Sequence, residues 1–505
     1  MFNPEKQAFF EAQAAQNLAL TFDDVRLRTR SGHQEPLPER LDLTSRFSKN
    51  VELKVPFASA AMDTVTTSEM AIAMAKLGGI GVIHAGLSIE DQKTEVRRVK
   101  HHLNGLINRP VTFEKRRSIE SIVYECLARK LDFRTFPVVD ENNRFAGLIT
   151  QNDLDFSEDL QLSVMDIMTP ASEVTTAQPG TKIEDAYKIM MEHKKKTLPL
   201  IDDNGEIAGL YIFSDVARIV RGDEAQFNVD QRGRLRVAAA VPTDAEACDR
   251  IEEIMGEDGE FLDVAVIDSA DGDSYYAFQT LELIKENFPD LDVVVGNVSE
   301  GASAGELAAA GADGVKVGQG PGSICTTRTE TGIGTPQVTA VYESARAVER
   351  YDVPIIADGG IRNHGDLSIA IASGASAIMM GGMLSGTKET PGDVIVLDNG
   401  SRVKMYRGMG SPSAMKASSA SRKRYDVKGG GEPLAEGVES YVPYKGSVVD
   451  IVDMCVKALE KSMRYVKVDT IERHQNETLF NRITNAGLIE SNTHDVQVVS
   501  LKDKD

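Results

Sequence analysis

The chain of 505 residues carries a formal charge of −21, with 41% hydrophobic and 26% charged residues. That hydrophobic balance is ordinary for a globular protein, and so large an excess of carboxylates argues against a broad nucleic-acid or anionic-membrane surface, because phosphate backbones are held by clustered lysine and arginine. A small anionic substrate in a local pocket stays compatible with it.

No apolar run approaches the roughly 20 residues of a membrane-spanning helix. The opening MFNPEKQAFFEAQAAQ lacks the basic start and apolar stretch of a secretory signal, so a cytoplasmic enzyme is expected. The four cysteines, Cys126, Cys248, Cys325 and Cys455, are scattered without a CxxC pair, which disfavours a zinc site and a disulfide framework. Three lie in helix-like segments and read as buried packing residues.

Short runs rich in Val, Ile and Ala alternate with helix-length segments along the chain. VPFASAAMD (55–63) and GGIGVIHAG (78–86) come first. A duplicated module then interrupts the series at 109–222: FPVVDENNRFAGLITQNDL from Phe136 and LPLIDDNGEIAGLYIFSDV from Leu198 place Pro137 and Pro199, Gly147 and Gly209, and Asp153 and Asp215 each 62 residues apart. Each copy reads as strand, polar turn, strand and helix, preceded by an amphipathic helix. The series resumes with LRVAAAV (235–241), LDVAVIDSADG (262–272), DVVVGNV (292–298), GVKVGQG (314–320), VPIIADGG (353–360) and AIMMGGM (377–383), making eight. Nearly continuous apolar strands separated by helices suit a parallel sheet covered on both faces. Eight strand-helix units predict an α/β fold, a (β/α)8 TIM barrel, in preference to a doubly wound sheet. Residues 1–108 and 223–505 are then the two parts of the barrel, with the insert between them.

Barrel geometry places chemistry at the C-terminal ends of the strands. After the seventh run stands ADGGI, with Asp358, Gly359 and Gly360, and the eighth ends in MMGGM, with Gly381 and Gly382. These are the recurrent phosphate-binding loops of barrels, where amide N–H groups approach phosphate oxygens with no Cβ in the way; turn formation alone is the competing role. In GQGPGSICTTR (318–328) the spacing is GxGxG and Pro321 lacks a donor, so a dinucleotide fingerprint is disfavoured. A cysteine held by such a loop, opposite a phosphate site, is placed to be a nucleophile. The polar, Gly-rich stretch after the eighth run suits a mobile flap at about 411–435. Its run SRKRYD, taken alone, reads as a solvated surface.

GSICTTR with TGIGTPQVTAV, ADGGIR, MMGGML, YRGMGS and EGVESYVPYKG, in this order, resembles the inosine-5′-monophosphate dehydrogenase and GMP reductase family over essentially the whole chain. The duplicated module resembles a tandem CBS (Bateman) domain. The resemblance implies NAD-dependent oxidation of IMP to XMP, with Cys325 attacking purine C2 and a thioimidate hydrolysed by water that Arg424, followed by Tyr425, activates. Thr327 matches a threonine near that water. Ser323, Gly359, Gly360, Gly381, Gly382 and Tyr406 match the phosphate side of the substrate site, and Asp358 matches the ribose acceptor. Arg407, Gly408, Met409, Gly410 and Glu436 match the segments beside the base. Asp268, Ser269 and Ala270 match the dinucleotide segment, with Ala270 where many members have Ser; Gly318, Gln319 and Gly320 fall beside the nicotinamide.

The resemblance also implies a monovalent cation, usually potassium. Gly320, Gly322 and Cys325 match one half of its site, and Glu490, Ser491 and Asn492 match a half contributed by a neighbouring subunit. The expected assembly is a homotetramer, with octamer formation left open. Those last three residues depart from the Glu-Gly-Gly of some members, a change that backbone carbonyls tolerate. In the insert, Thr150 and Asp153 fit a nucleotide ribose of the ATP or GTP type, whereas the second copy has Ile212, Ser214 and Asp215; a purely structural insert is the alternative. The rival activities are GMP reductase, which lacks the Arg-Tyr pair, and an inactive nucleotide-sensing scaffold. The roles of Arg422 and Lys423 are not legible.

Overall fold

The computed structural model describes residues 2–31, 36–102, 106–107, 110–128, 135–157, 159–221, 226–256, 261–425 and 434–493. The chain divides into two compact units, one of Met1–Lys100 with Gln226–Asp505 and one of His101–Ala225.

The first unit is the expected barrel. Its strands are β1 (Phe57–Ser59), β2 (Ile80–Ile83), β3 (Val237–Val241), β4 (Val264–Asp268), β5 (Asp292–Val298), β6 (Gly314–Val317), β7 (Ile355–Asp358) and β8 (Ala377–Met380). All eight neighbouring pairs are parallel, and β8 closes on β1. Each strand falls inside one of the eight apolar runs. Side chains alternate along them, so Ile80 and Val82, Ala238 and Ala240, Val264 and Val266, Val294, Ile356 and Met379 fill the interior. Burying each Val or Ile contributes about 1.5–3 kcal/mol. The hairpin of Ser45–Arg46 and Glu52–Leu53 adds Phe47, Val51 and Leu53 to this core. Lys49 N–H bonds to the Asp313 carbonyl and Asn50 to Asp292, at the starts of β6 and β5. The hairpin therefore plugs the N-terminal end and leaves the other end for chemistry.

Beyond β8, β9 (Ile395–Val396), β10 (Arg402–Arg407) and β11 (Glu439–Pro443) form an antiparallel sheet. The described part of the flap consists of two short helices, Pro412–Ala417 and Ser419–Tyr425. Residues 426–433 of the expected flap lie outside the described residues.

The second unit carries the duplication in its backbone. Thr135–Val139 pairs with Phe145–Thr150, and Thr197–Ile201 with Ile207–Ile212, both antiparallel. Ile119–Ala128 and Ile183–Glu192 are the helices before each pair. Each copy packs its own core, Phe136, Val138 and Ile149 in the first and Leu198, Leu200 and Tyr211 in the second. Thr150 caps the helix Gln151–Asp155, and its hydroxyl donates to Asp153 at 2.7 Å.

The cysteines diverge from the uniform burial expected of them. Cys455 is fully buried, and burial pushes its thiol up to about 12, whereas Cys126 and Cys248 are only partly covered. Both sit on the flanks of amphipathic helices, where one face is open.

His474, in the helix Ile471–Glu477, is wholly buried; its ring nitrogens lie 2.7 Å from Ser368 Oγ and 2.7 Å from Thr478 Oγ1. Burial, aided by the Lys6 charge, pushes its pKa down to about 3. Because the folded value is depressed, the unfolded chain takes up the proton first as pH falls below about 6.5, so stability is lost between there and about 3. The expected result is an acid-side loss steeper in the wild type than in His474→Gln by up to about 1.4 kcal/mol per pH unit. Denaturant titrations from pH 7 to 4 read that difference, and parallel slopes would refute it.

Candidate active site

The loop after β6 is shaped by its glycines and by an arginine strap. Gly318 has φ +146°, and a Cβ there would lie 2.0 Å from the Asp358 carbonyl oxygen, so no other residue fits without moving β7. Arg328 donates to the Gln319 carbonyl at 3.0 Å and to the Thr335 carbonyl at 2.6 Å, holding the loop from behind. Gln319 bonds Ser299 and the Ala270 carbonyl, tying the loop to the ends of β5 and β4.

Cys325 is brought to Glu436 by a short antiparallel bridge: Thr326 N–H donates to the Glu436 carbonyl at 3.1 Å and Val438 N–H to the Ile324 carbonyl at 3.0 Å. Thr327 Oγ1 lies 3.1 Å from Cys325 Sγ and donates to Glu436 Oε2 at 2.6 Å. With the single threonine proton committed to the carboxylate, the thiol must donate to Thr327 Oγ1. The order Cys325, Thr327, Glu436 is thus a continuous path for a proton leaving sulfur.

A cavity of about 180 Å³ opens beside Cys325. The glycines Gly318, Gly320, Gly322, Gly359, Gly360, Gly381, Gly382 and Gly408 line it, as do Ser323, Tyr406, Met409 and Glu436. Tyr406 is buried, and burial pushes its phenol up to about 12, so it stays a hydrogen-bond donor. Pro321 packs within 3.0 Å of the place a Cβ of Gly359 would take, which explains the small residue opposite.

Residues that faced inward at the C-terminal strand ends form a charged cluster in the floor. Asp268 and Asp358 each follow an interior residue, Val266 and Ile356, by two positions. Lys316 is 1% exposed, with Nζ 2.9 Å from Asp268 Oδ1 and 3.1 Å from Asp358 Oδ2; Asn297 also bonds Asp358, at 2.9 Å, and contacts the same ammonium. Gly296 makes room for this lysine, since a Cβ there would meet Lys316 Cβ at 2.6 Å. One buried ammonium therefore bridges two carboxylates, whose other lone pairs stay available to accept from hydroxyl groups. Lys316 and Asn297 belong to no sequence motif; the signal for the first is a lysine inside the apolar GVKV at inward parity.

Arg424 and Tyr425 also line the cavity. The Arg424 guanidinium pairs with Asp268 and lies 5.7 Å from the Tyr425 ring, while its Nε is buried without a hydrogen-bond partner among the described residues. Tyr425 packs against Gly410, where a Cβ would come within 2.8 Å of the ring, and burial raises its phenol pKa. Lys423 reaches Asp244 and Glu246, each at 2.7 Å, so two adjacent cations hold the flap to the ends of β3 and β4.

Other sequence-selected residues stand outside the cavity wall. Arg407 donates to Asp63 at 3.0 Å and to Ser413 at 2.8 Å, with its guanidinium directed to those groups. Ser269 and Ala270 are backbone partners of Gly296 and of Arg424. Glu490 ends the exposed helix Asn485–Glu490, Ser491 and Asn492 follow it, and none of the three lines the Cys325 cavity within this chain. The Gly320 and Cys325 carbonyls accept no hydrogen bond among the described residues, and that of Gly322 accepts one, from Cys325 N–H. Neutral oxygens left unpaired fit the needs of a monovalent cation. Among the described residues no helix is long and apolar enough to cross a membrane, and no cluster of three metal-ligating side chains occurs.

The model of the IMP dehydrogenase / GMP reductase domain matches residues 19–494. Inosine-5′-monophosphate dehydrogenase of Aquifex aeolicus is 43% identical over 481 residues, 95% of this chain and 96% of that protein. The Bacillus subtilis and Escherichia coli K12 proteins of the same name are each 40% identical over 95% of the chain. Among solved structures, GMP reductase of Trypanosoma brucei in complex with guanosine 5′-monophosphate superposes with a TM-score of 0.86 at 35% identity, covering 96% of this chain and 100% of that one. The same reductase with guanosine 5′-triphosphate gives 0.76 at 30% identity, covering 94% of this chain and 100% of that one. With a closed eight-stranded barrel and a family match across nearly its whole length, the chain belongs to the IMP dehydrogenase / GMP reductase family of enzymes.

Proposed function

We propose that the chain oxidises IMP to XMP with NAD and water, through a covalent adduct on Cys325. The observation that carries this reading is the placement of Arg424 and Tyr425 in the same cavity as Cys325, because a reaction ending in hydrolysis needs a group beside the adduct that favours water in its nucleophilic form.

IMP binds with its phosphate on Ser323, Tyr406 and the Gly360, Gly381 and Gly382 amides, and with its ribose diol on Asp358. Gly408, Met409 and Glu436 face the base. Cys325 passes its proton to Thr327 and Glu436 and adds to C2, turning an aromatic carbon into a tetrahedral centre that can release hydride. Asp268 would hold the ribose of NAD, and Gly318 and Gly320 would pack beside its nicotinamide end, where NAD would supply the hydride acceptor. The resulting thioimidate takes up water at C2, the sulfur leaves, and XMP, NADH and a proton are the products. Arg424 holds that water as its nucleophilic form, with Thr327 beside it. In the same reading the Gly320, Gly322 and Cys325 carbonyls would hold potassium, with the Glu490–Asn492 segment of a neighbouring subunit in a homotetramer completing the site.

The structural likeness to GMP reductases supports the second reading, NADPH-dependent conversion of GMP to IMP. Absorbance at the reduced-nicotinamide band decides between them. IMP plus NAD should raise it; consumption of NADPH with GMP, and no response to IMP plus NAD, would overturn the dehydrogenase reading.

For the insert, we propose a CBS pair in which Thr150 and Asp153 hold a nucleotide ribose, while the second copy, with Ile212 before Ser214 and Asp215, binds less well. Calorimetric titration of the full chain with ATP and with GTP should give heat that Asp153→Ala removes. No heat from the wild-type protein would leave the insert a structural module, and equal heats in both proteins would remove Asp153 from the ribose site.

A further inference from the structure

The phosphate pocket proposed above has three charged cations in its wall, and each is already committed. Lys316 serves Asp268 and Asp358, Arg424 serves Asp268, and Arg362 is paired with Asp23 at 2.6 Å. A dianionic phosphate would meet only neutral donors there, unless charge comes from behind the loop.

Lys445, half-buried just beyond β11, stands in that place. Its Nζ donates to the Gly382 carbonyl at 2.8 Å and to the Met383 carbonyl at 3.0 Å, and Ser385 Oγ donates to the same Gly382 oxygen at 2.7 Å. The backbone fixes the lysine in register: its N–H bonds to the Gly386 carbonyl at 2.8 Å, and Lys388 N–H bonds to the Gly446 carbonyl at 2.7 Å. No carboxylate lies near this ammonium among the described residues, and burial lowers its pKa without an opposing anion.

The geometry of the peptide group then has a consequence for the cavity side. In a planar trans peptide the N–H of one residue points opposite to the carbonyl before it. With the Gly382 carbonyl drawn back to Lys445 and Ser385, the Met383 N–H is turned the other way, and Met383 lines the cavity. Leu384 and Ser385 N–H groups both turn back to the Gly381 carbonyl, whereas those of Gly382 and Met383 have no protein partner among the described residues. Two amide donors are thereby left for an anion.

We propose that Lys445 is the positioning residue of the 5′-phosphate site: its clamp on the Gly382 and Met383 carbonyls aims the Met383 N–H at the phosphate, and its uncompensated charge favours the dianion. The inference rests on the phosphate-site reading above and adds Met383 N–H as a donor. Nothing in the GGM sequence distinguishes Met383 from any other residue after a glycine pair; only the direction of the carbonyls does so.

The test uses the full chain and steady-state kinetics, with Lys445→Met, Lys445→Gln and Lys445→Arg. Lys445→Met should raise KM for IMP at least tenfold, leave KM for NAD and kcat within threefold, and weaken competitive inhibition by inorganic phosphate against IMP. Lys445→Arg should restore most of the affinity, and Lys445→Gln, which keeps amide N–H donors without the charge, should fall between. If Lys445→Met does not fold, Lys445→Gln decides the matter, with a rise of threefold or more expected. An unchanged KM for IMP, or equal losses for both substrates, would overturn the proposal. Wild-type protein that neither binds nor converts IMP would instead overturn the functional reading itself.

Discussion

Cys325→Ala should abolish turnover, with kcat lower by about four orders of magnitude or more, while the dissociation constant for IMP stays within a few-fold. The size follows from the chemistry: C2 of the purine has no transferable hydride until a nucleophile has made it tetrahedral, so the loss of sulfur removes the reaction and not a fraction of its rate. Binding survives because Ser323, Tyr406 and the glycine amides are contributed by other positions of the cavity wall. Mass spectrometry of wild-type enzyme quenched during turnover should find a purine nucleotide on the peptide containing Cys325, and none in the variant. Residual turnover above a hundredth of wild type would sink the nucleophile assignment. Thr327→Val separates the thiol from its route to Glu436 and should slow adduct formation without removing it, since the 3.1 Å contact with Sγ is lost but the sulfur remains.

How much of this site could be read in the chain depended on the kind of regularity that built each part. The barrel strands were legible because buried parallel strands leave continuous apolar runs, and Cys325 stood out because three glycines and a proline directly before it broke such a run. Lys316 was hidden by the same rule: within GVKV a lysine looks like a lapse in an apolar strand. Only the paired registers Gly296 with Lys316 and Lys316 with Ile356 put it on the inward face, between Asp268 and Asp358. The contact of Thr327 with Glu436 joins residues 109 positions apart. No local pattern announces it, and family resemblance alone had marked both residues. The hairpin that plugs the barrel, and Lys445 behind the phosphate loop, escaped for a related reason. Their roles lie in where backbone carbonyls point, a property that side-chain types do not record. Glu490, Ser491 and Asn492 differ again, because any role at the cation is completed only by a second copy of the chain.

Arg424→Ala should split the reaction at the adduct. In this structure the arginine pairs with Asp268, the carboxylate proposed to take the cofactor ribose, so one carboxylate is asked to serve the flap and the cofactor. Those two uses exclude each other in time, and the flap can return to Asp268 only after the reduced cofactor has gone. Removing the guanidinium should therefore leave hydride transfer intact, seen as a rapid burst of NADH approaching one per active site. Hydrolysis, deprived of the cation that favours hydroxide, should slow by about 10²- to 10⁴-fold, and the adduct on Cys325 should accumulate. KM for NAD should fall, because Asp268 Oδ2 loses the flap arginine that competes for it, while Lys316 stays on Oδ1. Arg424→Lys should recover part of the hydrolytic rate, since the charge is kept while the planar fork that bridges Asp268 and the water is lost. Stopped-flow absorbance resolves burst from steady state, and acid-quench mass spectrometry counts the adduct. A variant whose burst and steady-state rates fell together, with no adduct accumulating, would remove Arg424 from the hydrolytic step and with it the observation that favours dehydrogenase over reductase.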